Sequence, residues 1–190
     1  MTFQITLELG DAELDYFRSV MRRVGILNEA RTPEDIALAA TREVDRLRAT
    51  ARSPFIRQRI ERVARLIAML QDAEWQLPDF ERRRVLGALA YVAEAHDLVP
   101  DNVPVLGLLD DAIMLELVLR DVQPEIDAYE DFDAYRQEQR AVMSAGRKER
   151  DVSRQDWLDS RREALHERMR ERRMRDLARH GGEFDLITHF

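Results

Sequence analysis

The sequence predicts an all-α protein, a multi-helix bundle around a central helix-loop-helix hairpin, with a short N-terminal strand and a long charged C-terminal helix. Three observations carry that expectation. Apolar residues recur at three- and four-residue spacing through most of the chain. Proline, serine, threonine and aspartate stand where these periodic segments begin, as helix starts require. The last third then changes to a charged pattern with a narrow apolar edge. Two units follow: a helical domain over residues 1–146, and a charged helical arm and tail over residues 147–190.

The first element is the exception to helix. Phe3, Ile5, Leu7 and Leu9 alternate with polar residues, the two-residue period of a half-buried strand, and Gly10 ends it. Asp11 is then placed to cap a helix with Leu14, Phe17, Met21 and Val24 on one face, stopped at Gly25. Thr32-Pro33-Glu34-Asp35 supplies an N-cap, a proline at the first helical position and early negative charge, so a second helix should reach about Ala49. Ser53-Pro54 repeats the signal. Ile56, Ile60, Val63, Ile67 and Leu70 mark the stripe of a third helix.

A fourth helix is expected from Asp79 to Ala95, with Val85, Leu86, Leu89 and Val92 inward. Pro100 and Pro104 exclude continuous helix from Asp97 to Gly107. Leu108 to Val122 is so densely apolar that it should be covered on most sides and form the centre of the core. After Pro124, a more polar helix carries Ile126, Tyr129, Phe132 and Tyr135 to about Ser144, and Ala145-Gly146-Arg147-Lys148 reads as a linker. Ser153 can cap a last helix from Arg154 to Arg179, closed by Gly181-Gly182. The tail, Phe184 to Phe190, is apolar enough to dock, beside the N-terminal strand for instance.

With 190 residues, 45% hydrophobic and 35% charged, the chain can bury a core and should fold. Its net charge of −7 argues against the whole protein binding nucleic acid, which needs a basic surface to displace counterions from phosphates. Without cysteine there is no disulfide, thiolate catalysis or cysteine-bound zinc. Neither a secretory leader nor an apolar run long enough to span a membrane is visible. The expected location is the cytoplasm, with attachment to the inner face of the membrane as the variant. Of thirty basic residues only Lys148 is a lysine, a bias that fits a GC-rich source.

The run Tyr91 to Asp111 reads Y-V-A-E-A-H-D-L-V-P-D-N-V-P-V-L-G-L-L-D-D. It resembles the YkvA-like family, a bacterial helical domain of unknown function, through Asp97, Leu98, Pro100, Asp101, Pro104, Gly107, Asp110 and Asp111. That family usually has proline at the position of Ala95 and an apolar residue at that of His96. The resemblance covers residues 85–120 and implies a helical hairpin, with no established reaction.

Physically, two prolines and a glycine shape a tight reversal, while Asp97 and Asp101 can accept hydrogen bonds from loop amides. Asp110 and Asp111 fall in the first turn of the next helix, where the macrodipole favours negative charge by about 0.3–1 kcal/mol each. Capping explains all four aspartates. The sharper alternative is that Asp97, Asp101, Asp110 and Asp111 converge on magnesium or calcium. A His96-Asp97 phosphohydrolase site lacks its upstream histidines, because none precedes His96. No phosphate loop, nucleophile elbow or metalloprotease pattern is present, so a catalytic set is not visible.

On the last helix, Arg154, Arg161, Arg168, Arg172, Arg175 and Arg179 fall within an arc of roughly 60°. Glu163, Glu167 and Glu171 sit nearly opposite. This stripe either meets anionic groups or a partner, or is a solvated face held by local pairs such as Asp159 with Arg162 and Glu171 with Arg175. Leu158, Leu165 and Met169 provide a narrow edge for a partner helix or a second copy. The leading expectation is a noncatalytic interaction or scaffold protein that self-associates or binds a protein partner through this helix, as a homo-oligomer. A metal-dependent hydrolase using the aspartates, or a peripheral membrane protein, are the alternatives.

Overall fold

A computed structural model describes residues 10–51, 53–94, 109–144 and 154–180. Every element within them is helical: α1 (Asp11–Asn28), α2 (Pro33–Thr50), α3 (Pro54–Gln71), α4 (Asp79–Glu94), α5 (Leu109–Asp121), α6 (Gln123–Ser144) and α7 (Arg154–His180). The expected strand at Phe3 to Leu9, the Ala145 linker and the Phe184 tail lie outside the described residues.

The starts follow the sequence signals. Thr32 Oγ1 accepts from the Asp35 amide at 3.1 Å and Pro33 opens α2, while Ser53 and Pro54 do the same for α3 without a side-chain cap bond. In α1 the cap is Gly10 rather than Asp11, its amide donating to the Glu13 carboxylate at 3.0 Å. A Cβ at Gly10 would stand 3.1 Å from that same oxygen. Gly25 does not stop α1. The helix continues because Val24 and Asn28 are both buried on its inner face and Asn28 Nδ2 donates to the Val24 carbonyl at 2.9 Å.

The centre of the core is α4, not α5. Every residue from Arg84 to Val92 is buried, and α1, α2, α3 and α5 all pack around it. Its buried Gly87, Ala88 and Ala90 are small residues, which a search for bulky apolar residues overlooks. α5 buries Leu117, Val118 and Leu119 but leaves Ile113 and Leu115 partly exposed.

Between α3 and α4 the chain makes a turn that drives Trp75 fully into the core. Asp72 Oδ1 accepts from the amides of Glu74 and Trp75, and Gln76 adopts a left-handed φ of 49°. Trp75 then packs on Tyr129 and Phe132 of α6 and, edge-on at 4.4 Å, on His166 of α7.

The difference between core and surface is testable in one pair of substitutions. Leu66, fully buried in α3, should lose about 2–5 kcal/mol on change to alanine. Leu38 is 51% exposed, and its change to alanine should cost less than about 0.5 kcal/mol. Urea unfolding of both variants gives the comparison.

Candidate functional site

Two of the four aspartates singled out in the sequence, Asp97 and Asp101, lie outside the described residues, as does His96. Asp110 and Asp111 fall in the first turn of α5. Among the described residues no group of three or more His, Asp or Glu is placed to hold a metal ion. The geometry that is described directs attention to α7.

α7 runs antiparallel along α6. Its expected apolar edge, Leu158, Leu165 and Met169, is buried there. Arg162 and Arg173 lie on this inward side, although both fall outside the 60° arc of the sequence stripe. Arg162 donates to the Glu74 carbonyl at 3.1 Å and pairs with Asp159 at 2.9 Å, the local pair expected. Arg173 pairs with Glu125 and stacks its guanidinium over Phe80 at 5.4 Å. The signal was available: Leu158, Arg162, Leu165, Met169 and Arg173 repeat at three- and four-residue spacing, so arginines interrupt an otherwise apolar seam.

Glu125 has no solvent exposure at all. Besides Arg173 it meets Arg84 of α4 at 3.3 Å, and Arg84 also reaches the Asp121 carboxylate at 3.1 Å and its carbonyl at 2.8 Å. Two arginines and two carboxylates thus balance at the junction of α4, α5, α6 and α7. A second ionic cluster lies beneath the Trp75 turn, where Arg136 pairs with Asp72, Glu74 and Asp133 at 2.7–3.0 Å. Burial works to lower the Arg136 pKa, but the hydrogen bonds it donates to these carboxylates outweigh it and hold it above the ordinary arginine value. The Arg136 hydrogen bond in turn holds Asp133 below the usual carboxylate range. Tyr129, buried in the core and bonded to Asp72 at 3.0 Å, is pushed up to about 12.

Of the sequence stripe, Arg161 is half-buried over the Tyr135 ring at 5.4 Å, and Arg172 pairs with Asp127. Arg175 donates to the Glu171 backbone carbonyl at 3.3 Å, not to the carboxylate pair expected from the sequence. Arg168, Arg175 and Arg179 are exposed on one flank of α7, with no carboxylate in ion-pair range among the described residues. Arg154 begins the helix.

Elsewhere, an open groove of about 700 Å³ runs between α3 and α6. Three of its charged residues are already engaged: Glu61 by Arg48, Arg65 by Asp133, and Arg62 by Glu116 and Gln123.

The fold and these junctions define an all-helical bundle whose buried charges join helices to one another. A family model described as a protein of unknown function (DUF1232) matches residues 82–117, from the first turn of α4 into α5. That span contains Arg84 but neither Glu125 nor α7. No curated protein and no solved structure matches the chain. Among the described residues no helix is long and apolar enough to cross a membrane.

Two outcomes follow from the α7 seam. Glu125→Ala, which leaves Arg84 and Arg173 facing an emptied site, should destabilise by about 3–5 kcal/mol in denaturant unfolding. His166, buried on Trp75, has its pKa lowered from 6.5 to about 4 by burial and then by Arg162 and Arg170. The unfolded chain therefore takes up this proton first, and stability present above pH 6.5 declines as pH falls toward 4. Comparing pH-dependent unfolding of the native chain with His166→Phe should show a smaller acid loss in the variant, by about 2 kcal/mol.

Proposed function

We propose that this chain is a noncatalytic helical interaction protein carrying a YkvA-like hairpin, and that its contact surface is the outward side of α7. The domain of residues 1–146 serves in this reading as a rigid support, and the arm of residues 147–190 supplies the recognition. One observation carries it: α7 buries its apolar edge against its own chain while presenting Arg168, Arg175 and Arg179 without carboxylate partners in the described part. An exposed row of guanidinium groups with no carboxylate partner among the described residues, on a fixed helix, is suited to an acidic partner. Symmetric self-association through this row is disfavoured by repulsion between like charges, so a second copy would have to offer an acidic face instead.

The surface can be tested without knowing the partner. A chain of net charge −7 should pass through a sulfonate cation exchanger unless its charges are segregated. Native protein should be retained at low ionic strength. Arg168→Glu, Arg175→Glu and Arg179→Glu together should abolish retention. The same charge change at exposed Arg22, Arg23 and Arg57 should leave it. Identical elution of the two triple variants would defeat the reading.

A further inference from the structure

We infer that the acidic partner of the α7 row is the same helix of a second copy of this chain, lying parallel to the first; the inference rests on the contact surface just described. Glu163, Glu167 and Glu171 recur at four-residue spacing and are all exposed. At about 100° per residue they fill an arc of about 80°, while Arg168, Arg175 and Arg179 fill about 40°, centred about 100° further round. One helix therefore carries an acidic strip and a basic strip side by side on its outward half. Ala164, small and exposed, stands between them.

Within one helix the two strips do not neutralise each other. Glu167 pairs at 2.8 Å with Arg170, which lies on the side away from the basic row. Arg175, one turn beyond Glu171, gives its bond to the Glu171 carbonyl rather than the carboxylate. Glu163 and Glu171 have no cation in ion-pair range among the described residues. An acidic strip beside the arginines repels polyanions such as a nucleic-acid backbone or an anionic bilayer. A copy of the same surface instead offers each strip its opposite.

Symmetry fixes the direction of the pair. A two-fold axis along parallel helices sets the left flank of one against the right flank of the other, so each basic strip faces the second copy's acidic strip. Antiparallel helices bring like strips together. With the parallel helices in register, Arg168 stands within about 5 Å along the axis of the second copy's Glu167 and Glu171, and Arg175 about 6 Å beyond that Glu171. Arg179 lies past both. The seam is about 120° round from the buried edge of Leu158, Leu165 and Met169, so the two bundles stay on the far sides of the pair. Arg173 and Glu125 already hold α7 to α6, and no helix has to form on contact. Exposed charges and small side chains are what meet, so the dimer should be weak and sensitive to salt.

Sedimentation equilibrium of the full-length chain should show reversible dimerisation at low salt, weakened about tenfold on raising salt above physiological strength. Arg168→Glu with Arg175→Glu should weaken the dimer by at least about tenfold, and so should Glu167→Arg with Glu171→Arg; mixing these two variants should restore association. Arg22→Glu with Arg23→Glu, on α1, should leave it within about twofold. The chain has no cysteine, so Ala164→Cys and Ala178→Cys, about 21 Å apart along the helix, report its direction. Oxidation should link each of these variants to itself. A chain that stays monomeric at low salt, indifference to either charge-reversed pair, equal weakening by the α1 pair, no restoration on mixing, or failure of either cysteine variant to link would each overturn the proposal. A monomer still retained on the cation exchanger would remove only the second copy and leave the row to another acidic partner; loss of both would remove the contact surface as well.

Discussion

A carboxylate with no solvent exposure, Glu125 at the start of α6, sets the terms for much of this molecule. Taking such a charge out of water costs several kcal/mol unless partners compensate it. The fold supplies Arg84 from the central helix and Arg173 from the last one. Each of those cations is itself buried or nearly so, and Arg84 needs Asp121 as well as Glu125. One requirement thereby joins four helices distributed along more than half the chain. The docked position of α7 follows from the same need, since moving α7 away would leave Glu125 with Arg84 alone.

The Trp75 turn provides the second tie. Asp72 closes α3, bonds the turn's amides and receives both Arg136 and the Tyr129 hydroxyl. The turn therefore holds Trp75 where α6 and α7 can pack on it, and Arg162 of α7 bonds the carbonyl of Glu74 beside it. Aromatic contact and hydrogen bonding act on the same few residues. Dispersion and ring packing favour the approach of α7 over a broad range of positions, whereas the directional bonds from Arg162 and Arg173 select one register along α6.

Much of this was legible as helices and little of it as junctions. Pro33 and Pro54 opened helices where expected, and Ile60, Val63 and Ile67 turned inward, because capping chemistry and helical period are local properties. The centre of the core was misplaced at Leu108 to Val122 because side-chain bulk was taken as the measure of burial. Gly87 and Ala90 are buried although small, so bulk is not what places a residue at the centre. Arg173 was hidden for another reason. A helical wheel sorts charged residues by angle but does not reveal that a buried glutamate forty-eight residues earlier will draw one of them inward. Tyr129 and Phe132 were placed on a helix but given no facing, while Trp75, in a turn with no periodicity, carried no pattern to read.

The arginine bias acquires a structural consequence that codon usage does not supply. Arg48 grips Glu61 through two parallel bonds of 2.8 and 3.0 Å, joining α2 to α3. Arg136 serves three carboxylates at once, and Arg84 divides its donors between a carbonyl and two acids. A lysine ammonium, compact and strongly hydrated, cannot reproduce these forked geometries and loses more solvation when buried. The same planar group lets Arg173 pair with Glu125 while lying over Phe80. Arginine thus performs two separable tasks on α7: inward, it fixes the helix by direction-specific pairing; outward, at Arg168, Arg175 and Arg179, it leaves positive charge that the fold does not consume. The inward pairs give the outward charges a fixed geometry, so the buried junction and the exposed basic pole are parts of one arrangement.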